Sequence, residues 1–316
     1  MASLHPLHSS IASRIDPEYA AFHNEHLTSF VHCHEVPWDP SIRNGPTVPG
    51  GSTPLPVGSI KDYSTSDDRA PWLRVFTPEG EAPATGWPVF IFFHGGGWTL
   101  GGMNSENAFS TNMCKYAKCV VVSVDYRLAP EHPYPAAVED AVASLQWVWT
   151  QGKSLLGIDL GRIAVGGSSS GGNLAAILAF KAAITTPTIP IVFQMLIVPV
   201  ADNTASVSGK PYASWAENEH TTWLSAERMM WFRHKYLPDE EDWAKWDSSP
   251  LLAPDDVRDE GIAFGDKLKT AGVDVEVKLY KGSPHPIMAM DGEVLKSGKD
   301  LVSDAWAALA RALGTD

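Results

Sequence analysis

From Val57 to Val198, short runs of apolar and β-branched residues alternate with longer stretches of helix-favouring residues. The short runs read as strands at 60–64, 72–77, 88–93, 119–124, 163–166 and 191–198. The longer stretches read as helices at 107–118, 136–151 and 172–184. The first two strands have the form of an antiparallel edge pair. The later ones are apolar throughout, so both of their faces are expected to be covered. Strands of that kind, separated by helices, imply an α/β chain with a mostly parallel sheet flanked by helices. A further strand is expected at 275–280, Val-Glu-Val-Lys-Leu-Tyr.

The rhythm fails in two places. Before residue 58, Asp16-Pro17-Glu18 is a helix start, with a capping Asp and Pro at the first helical position. That helix is expected to run to about residue 34, before an irregular Pro/Gly-rich connection. Six of the eleven histidines lie in this region: His5, His8, His23, His26, His32 and His34. Acidic partners with metal-site geometry are not evident around them, so no metal is expected. The second break, 201–250, carries five of the twelve tryptophans, and a helix starts at Ser225. An aromatic-rich helical insertion between strands reads as a cap over a site. The expected organisation is a cap segment and linker at 1–57, a core at 58–200, a cap insertion at 201–248 and the rest of the core at 249–316.

At 316 residues and 44% hydrophobic, the chain can bury a sizeable core. Its formal charge of −13, without basic clusters, argues against nucleic acid or an anionic membrane as partner. Cys33, Cys114 and Cys119 are an odd number without metal or redox spacing, which favours a reducing, cytoplasmic compartment. The first residues lack the basic-then-apolar pattern of a secretory signal. No apolar run reaches the roughly 18 residues of a membrane span. The expected state is a monomer or homodimer.

Two glycine motifs carry the candidate chemistry. Gly167-Ser168-Ser169-Ser170-Gly171 lies between an apolar strand and a helix. This is the setting of a G-x-S-x-G nucleophile turn, and the spacing selects Ser169. The helix that follows points its positive end at the serine. The second motif, His94-Gly95-Gly96-Gly97-Trp98, ends the strand at 88–93. Consecutive glycines let backbone N–H groups approach a developing oxyanion. Gly95, Gly96 and Ser170 are the expected donors. Trp98, Trp215, Trp223 and Trp231 are the expected substrate-contacting side chains.

These residues resemble the hormone-sensitive-lipase-like branch of the α/β-hydrolases. The resemblance rests on His94-Gly95-Gly96-Gly97, on Asp125-Tyr126-Arg127-Leu128-Ala129-Pro130-Glu131, and on Gly167 to Asn173, and it spans about residues 60–316. It implies an α/β-hydrolase fold with a helical cap, carboxylic ester hydrolysis by a Ser-Asp-His triad in that chain order, and no cofactor. Two positions depart from the pattern: Ser168 stands where the family has Asp, and Ser170 where it has Ala. The implied base is His285, in the loop after 275–280. The implied acid is harder to place. Ser249-Pro250-Leu251-Leu252-Ala253-Pro254 runs directly into Asp255-Asp256-Val257-Arg258. By the resemblance, a strand and its connection, roughly 15 to 20 residues, are missing there. Asp255 is preferred over Asp256 as the acid, and the true acid being absent is the third option.

The expected activity is hydrolysis of small to medium apolar or aryl esters through an acyl-enzyme. The competing readings are a small-molecule-binding homologue with impaired catalysis, and the same triad applied to lactones, amides or acyl transfer.

Overall fold

The computed structural model describes residues 5–45, 48–65, 71–253, 261–270, 272–292 and 294–316. Among the described residues six strands form one sheet: β1 (Ser59–Ser64), β2 (Trp72–Thr77), β3 (Trp87–Phe93), β4 (Val120–Asp125), β5 (Ile158–Ser168) and β6 (Phe193–Ile197). Their order is β1-β2-β4-β3-β5-β6. The pairs β1–β2 and β2–β4 are antiparallel, and the others are parallel. The expected α/β architecture with an antiparallel edge pair is what forms.

Period-two alternation divides the core into two layers. Val89, Ile91 and Phe93 of β3 pack with Ala141, Leu145 and Val148 of helix Ala136–Leu156 and with Leu174 and Leu178 of helix Ser170–Ile184. Phe90 and Phe92 point the other way, toward Phe109 and Met113 of helix Asn107–Tyr116 and Leu309 and Leu313 of helix Lys296–Leu313.

The parallel register places the site. Phe93 of β3 lies level with Gly167 of β5, and Ser168 lies level with Ile197 of β6. The chain therefore leaves the sheet at the same level three times, at His94, Ser169 and Val198. The crevice beyond the carboxyl ends of parallel strands is where open α/β sheets hold ligands.

Two expected elements differ. The N-terminal helix is shorter: Asp16 caps Pro17–Phe22 through Glu18 N–H at 2.8 Å, and a wider turn, His23–Leu27, ends it. There His23 Nε2 donates to the His5 carbonyl at 2.8 Å, drawing the preceding chain across that turn. The larger difference is at 275–280, which is not a strand. Its alternation is real, but Val277 is 44% and Leu279 68% exposed. A strand forms only beside a partner. Among the described residues β6 pairs with β5 alone. Among the described residues 275–280 has no strand partner.

Helices Ala213–Glu217 and Ala226–Tyr236 lie in the segment expected to be a cap, and Ser214, Trp215, Ala226 and Met229 line a cavity with His285. Ser225 caps the second by accepting from Arg228 N–H at 3.2 Å. The N-terminal segment packs on the insertion. Arg14 donates to Asn218 Oδ1 at 3.1 Å and to the Glu217 carbonyl at 2.8 Å. Arg228 reaches His32 Nδ1 at 2.9 Å. Cys33, Cys114 and Cys119 are free and buried. Among the described residues no group of histidine, cysteine and carboxylate side chains could hold a metal ion.

Candidate active site

Ser169 sits between the end of β5 and the start of helix Ser170–Ile184, with φ 53° and ψ −116°. This is a sparsely populated backbone region for a residue with a side chain, the kind of strain that collects at functional turns. Its N–H donates to the Ile197 carbonyl at 2.8 Å, and its carbonyl accepts from Asn173 N–H at 3.1 Å. Glycine is required on both sides because the chain is so close. A Cβ on Gly171 would stand 2.0 Å from the Phe93 carbonyl oxygen, and one on Gly167 2.3 Å from the Gly171 carbonyl.

The strained turn aims Ser169 Oγ at His285, whose Nε2 lies 2.9 Å away. His285 comes from the loop before the short turn Ile287–Met290. Desolvation, and then the positive charge of Arg228, bring its pKa down to about 4. The imidazole is therefore neutral at pH 7, the form that can take a proton. Its Nδ1 has no hydrogen-bond partner among the described residues. Asp255 and Asp256, the expected acids, lie outside the described residues.

The glycine loop after β3 folds against this pair. Leu100 and Thr99 N–H turn back on the Gly96 carbonyl at 2.8 and 3.2 Å. The N–H groups of Gly96, Gly97 and Ser170 have no acceptor among the described residues. Gly95 differs from the expectation, since its N–H is already committed to the Glu106 carboxylate, 3.3 Å from each oxygen. Gly97, with φ 61°, carries no Cβ because the Phe232 ring of the cap lies 2.4 Å from where one would be.

Trp98 is fully buried and stacks on Tyr236 with centroids 4.4 Å apart. It belongs to the core below the cap and does not reach the crevice, contrary to its expected role. Of the other three tryptophans, Trp215 alone lines the cavity beside His285. That cavity holds about 270 Å³, with Val200, Leu224 and Met229 on its apolar side and Asp202 and Tyr212 on its polar side. Trp223 packs on Phe30, His32 and Arg228 instead, and Trp231 on Trp38 and Phe232.

Several supporting residues were given no role by the sequence. Tyr126 donates to the His94 carbonyl at 2.8 Å and stacks on its ring at 4.4 Å. Arg43, from the N-terminal segment, donates to the Thr99 and Ala129 carbonyls, both at 2.9 Å. Asn173 donates to the Val200 and Ser248 carbonyls at 2.7 and 2.9 Å, tying the helix behind Ser169 to the base of the cap.

A mainly parallel sheet, a serine on a strained strand-to-helix turn and a histidine delivered from a late loop together define an α/β-hydrolase. A family described as alpha/beta hydrolase fold matches residues 90–289. An AB hydrolase superfamily protein of Schizosaccharomyces pombe is 44% identical over 97% of this chain and 96% of its own. The carboxylic ester hydrolase LipN of Mycobacterium tuberculosis is 34% identical over 76% of this chain and 70% of its own. Among solved structures, an esterase of Pyrobaculum calidifontis superposes with a TM-score of 0.73 at 32% identity, covering 81% of this chain and 86% of that one. The chain belongs to the α/β-hydrolase family, in its carboxylesterase-type branch. The alignment with the S. pombe protein runs over 333 positions against 316 residues here, so at least 17 positions of that relative stand opposite gaps. That is the length of a strand with its connection. Among the described residues no helix is long and apolar enough to cross a membrane.

Proposed function

We propose that this hydrolase cleaves small to medium apolar or aryl esters through a Ser169 acyl-enzyme. The observation that carries the reading is the 2.9 Å contact between Ser169 Oγ and a neutral His285 Nε2 on a strained turn. His285 takes the serine proton as Oγ attacks the ester carbonyl, then returns it to the leaving alcohol. Water repeats the sequence in reverse on the acyl-enzyme. The oxyanion is received by the N–H groups of Gly96, Gly97 and Ser170, with Gly97 taking the place expected of Gly95. Asp255 is the proposed acid, 30 residues before His285 in the chain. It would hold the Nδ1 proton and stabilise the charged ring. Residues 1–57 and 201–248 serve as the lid, and Trp215 as its contact with the acyl group.

That no described residue partners His285 Nδ1 favours one second reading, a homologue that binds small molecules and turns over slowly. Losing the acid in a triad costs on the order of 10⁴ in rate. Two measurements separate the readings. A fluorophosphonate should label Ser169 alone, and Ser169→Ala should lose both label and turnover. Rates on p-nitrophenyl esters should peak for acyl chains of about two to six carbons, as a cavity of this size holds a short chain. Asp255→Asn should then lower kcat by on the order of 10³ or more with little change in KM. Labelling without turnover would select the binding reading, and a rate rising beyond about ten carbons would exclude the proposed pocket.

A further inference from the structure

Glu106 is a titratable group at the site to which the mechanism gives no task. It stands at the start of helix Asn107–Tyr116 with φ 57° and ψ 25°, a left-handed conformation that favours glycine. At that position an acidic side chain normally folds over the helix end to cap its N–H groups. Here it makes no such bond. Its carboxyl turns back into the site, where Ser168 Oγ donates to Oε1 at 2.7 Å and Gly95 N–H lies 3.3 Å from each oxygen. The three groups are packed closely enough that a Cβ on Gly95 would stand 2.7 Å from Ser168 Oγ and 3.3 Å from Glu106 Oε1.

The two partners are the residues immediately before the reacting groups. Ser168 precedes the nucleophile Ser169, and Gly95 precedes the donor Gly96. We propose that Glu106 is a positioning residue whose carboxyl fastens the oxyanion loop to the nucleophile turn. The inference deepens the ester-hydrolase reading and rests on it. It also gives a reason for Ser168. A serine before the nucleophile leaves room for a carboxylate from another element, and its hydroxyl supplies the donor that carboxylate needs.

The clamp is pH-sensitive. Desolvation pushes Glu106 up to about 7, against the pull of its bonds to Ser168 and Gly95. Burial drives Tyr126 well above its usual range and holds His94 near 4, while His285 lies at about 4. Asp125, at the end of β4, is raised by desolvation and takes a backbone hydrogen bond from Met103. Arg74 is paired with Asp62.

The test compares Glu106→Ala and Glu106→Gln with the unmodified protein, using p-nitrophenyl acetate and hydrogen exchange of the backbone at 94–102. Glutamine can still accept from Gly95 and meet Ser168, whereas alanine can do neither. Glu106→Ala is expected to lower kcat about 10- to 100-fold with KM within about twofold, and to speed exchange in the loop. Glu106→Gln is expected to keep at least about a third of the rate and the slow exchange, and to lose an ionisation near pH 7 from the kcat/KM profile. If Glu106→Ala does not fold, Ser168→Ala replaces it, with the same expected faster exchange and lower kcat. Wild-type exchange in the alanine variant, or the ionisation persisting in Glu106→Gln, would overturn the proposal. A protein that neither turns over ester nor takes a fluorophosphonate on Ser169 would defeat the hydrolase reading instead, and loop exchange would still decide on Glu106.

Discussion

His285 must be uncharged to accept a proton, and two features of its surroundings keep it so: removal from water, then the guanidinium of Arg228. Arg228 is itself buried in the cap, held by the Trp223 carbonyl at 2.6 Å and by His32. Protonation of His285 should therefore limit the rate only as pH drops through about 4, well below the ionisation near pH 7 assigned to Glu106. Arg228→Met removes the positive charge, so the acid limb of kcat/KM should move to higher pH by a fraction of a unit. A limb that stays put would mean that desolvation acts alone. The stability linkage has opposite signs at two places. His32, His94 and His285, each lowered to about 4, contribute stability that is full above 6.5 and is lost as pH falls toward 4. Glu106, raised to about 7, contributes most below 4.5 and loses its contribution as pH rises through 7. Glu106→Gln should thus raise Tm at pH 8 relative to the unmodified protein and leave the difference small at pH 5. Glu106 had no legible signal in the sequence. A lone acidic residue in a loop announces nothing, and its place is set by Ser168 and Gly95, contacts no local pattern records.

The turn between β5 and helix Ser170–Ile184 shows how one element is fixed by its neighbours. Alanine is the best helix former, and Gly-to-Ala inside a helix usually stabilises by roughly 0.5–1 kcal/mol. At Gly171 the new methyl would meet the Phe93 carbonyl at 2.0 Å. Overpacking of this kind outweighs the propensity gain, so Gly171→Ala should destabilise by about 3 kcal/mol or more, read by denaturant unfolding. A Tm equal to that of the unmodified protein would contradict the close approach. The same element explains what was legible. Gly167, Ser169 and Gly171 are the alternate positions of one five-residue turn, so spacing alone exposed them. The apolar runs of β3, β4 and β5 were equally plain, because strands covered on both faces need no alternation to be recognised. Trp98 was misread for the opposite reason. It sits next to the glycines in sequence, but its place is set by Tyr236 of the cap, a contact no local pattern records.

Across the whole molecule, what the sequence could not convey was how the sheet ends. The alternation at 275–280 is a strand pattern in search of a neighbour. Whether it pairs depends on a neighbouring strand, which the family resemblance places between Pro254 and Asp255. Ser169 and His285 do not depend on that neighbour, since one is anchored by β5 and β6 and the other by the turn Ile287–Met290 and helix Lys296–Leu313. A sheet edge has a cost in colloidal behaviour. Among the described residues β6 is paired along one side only, and Val277 and Leu279 stand in water close by in sequence to the charges of Glu276, Lys278 and Lys281. An open edge invites other chains to add to it, and interspersed charges are a common defence. The net charge of −13 adds a general repulsion between molecules. Salt screens that repulsion, with a Debye length of about 10 Å at 0.1 M and about 3 Å at 1 M. Light scattering should therefore rise with sodium chloride at constant temperature. Lys278→Val, which removes the central charge, should bring the onset to lower salt. Keeping such a protein in solution is a matter of ionic strength as much as of folding free energy.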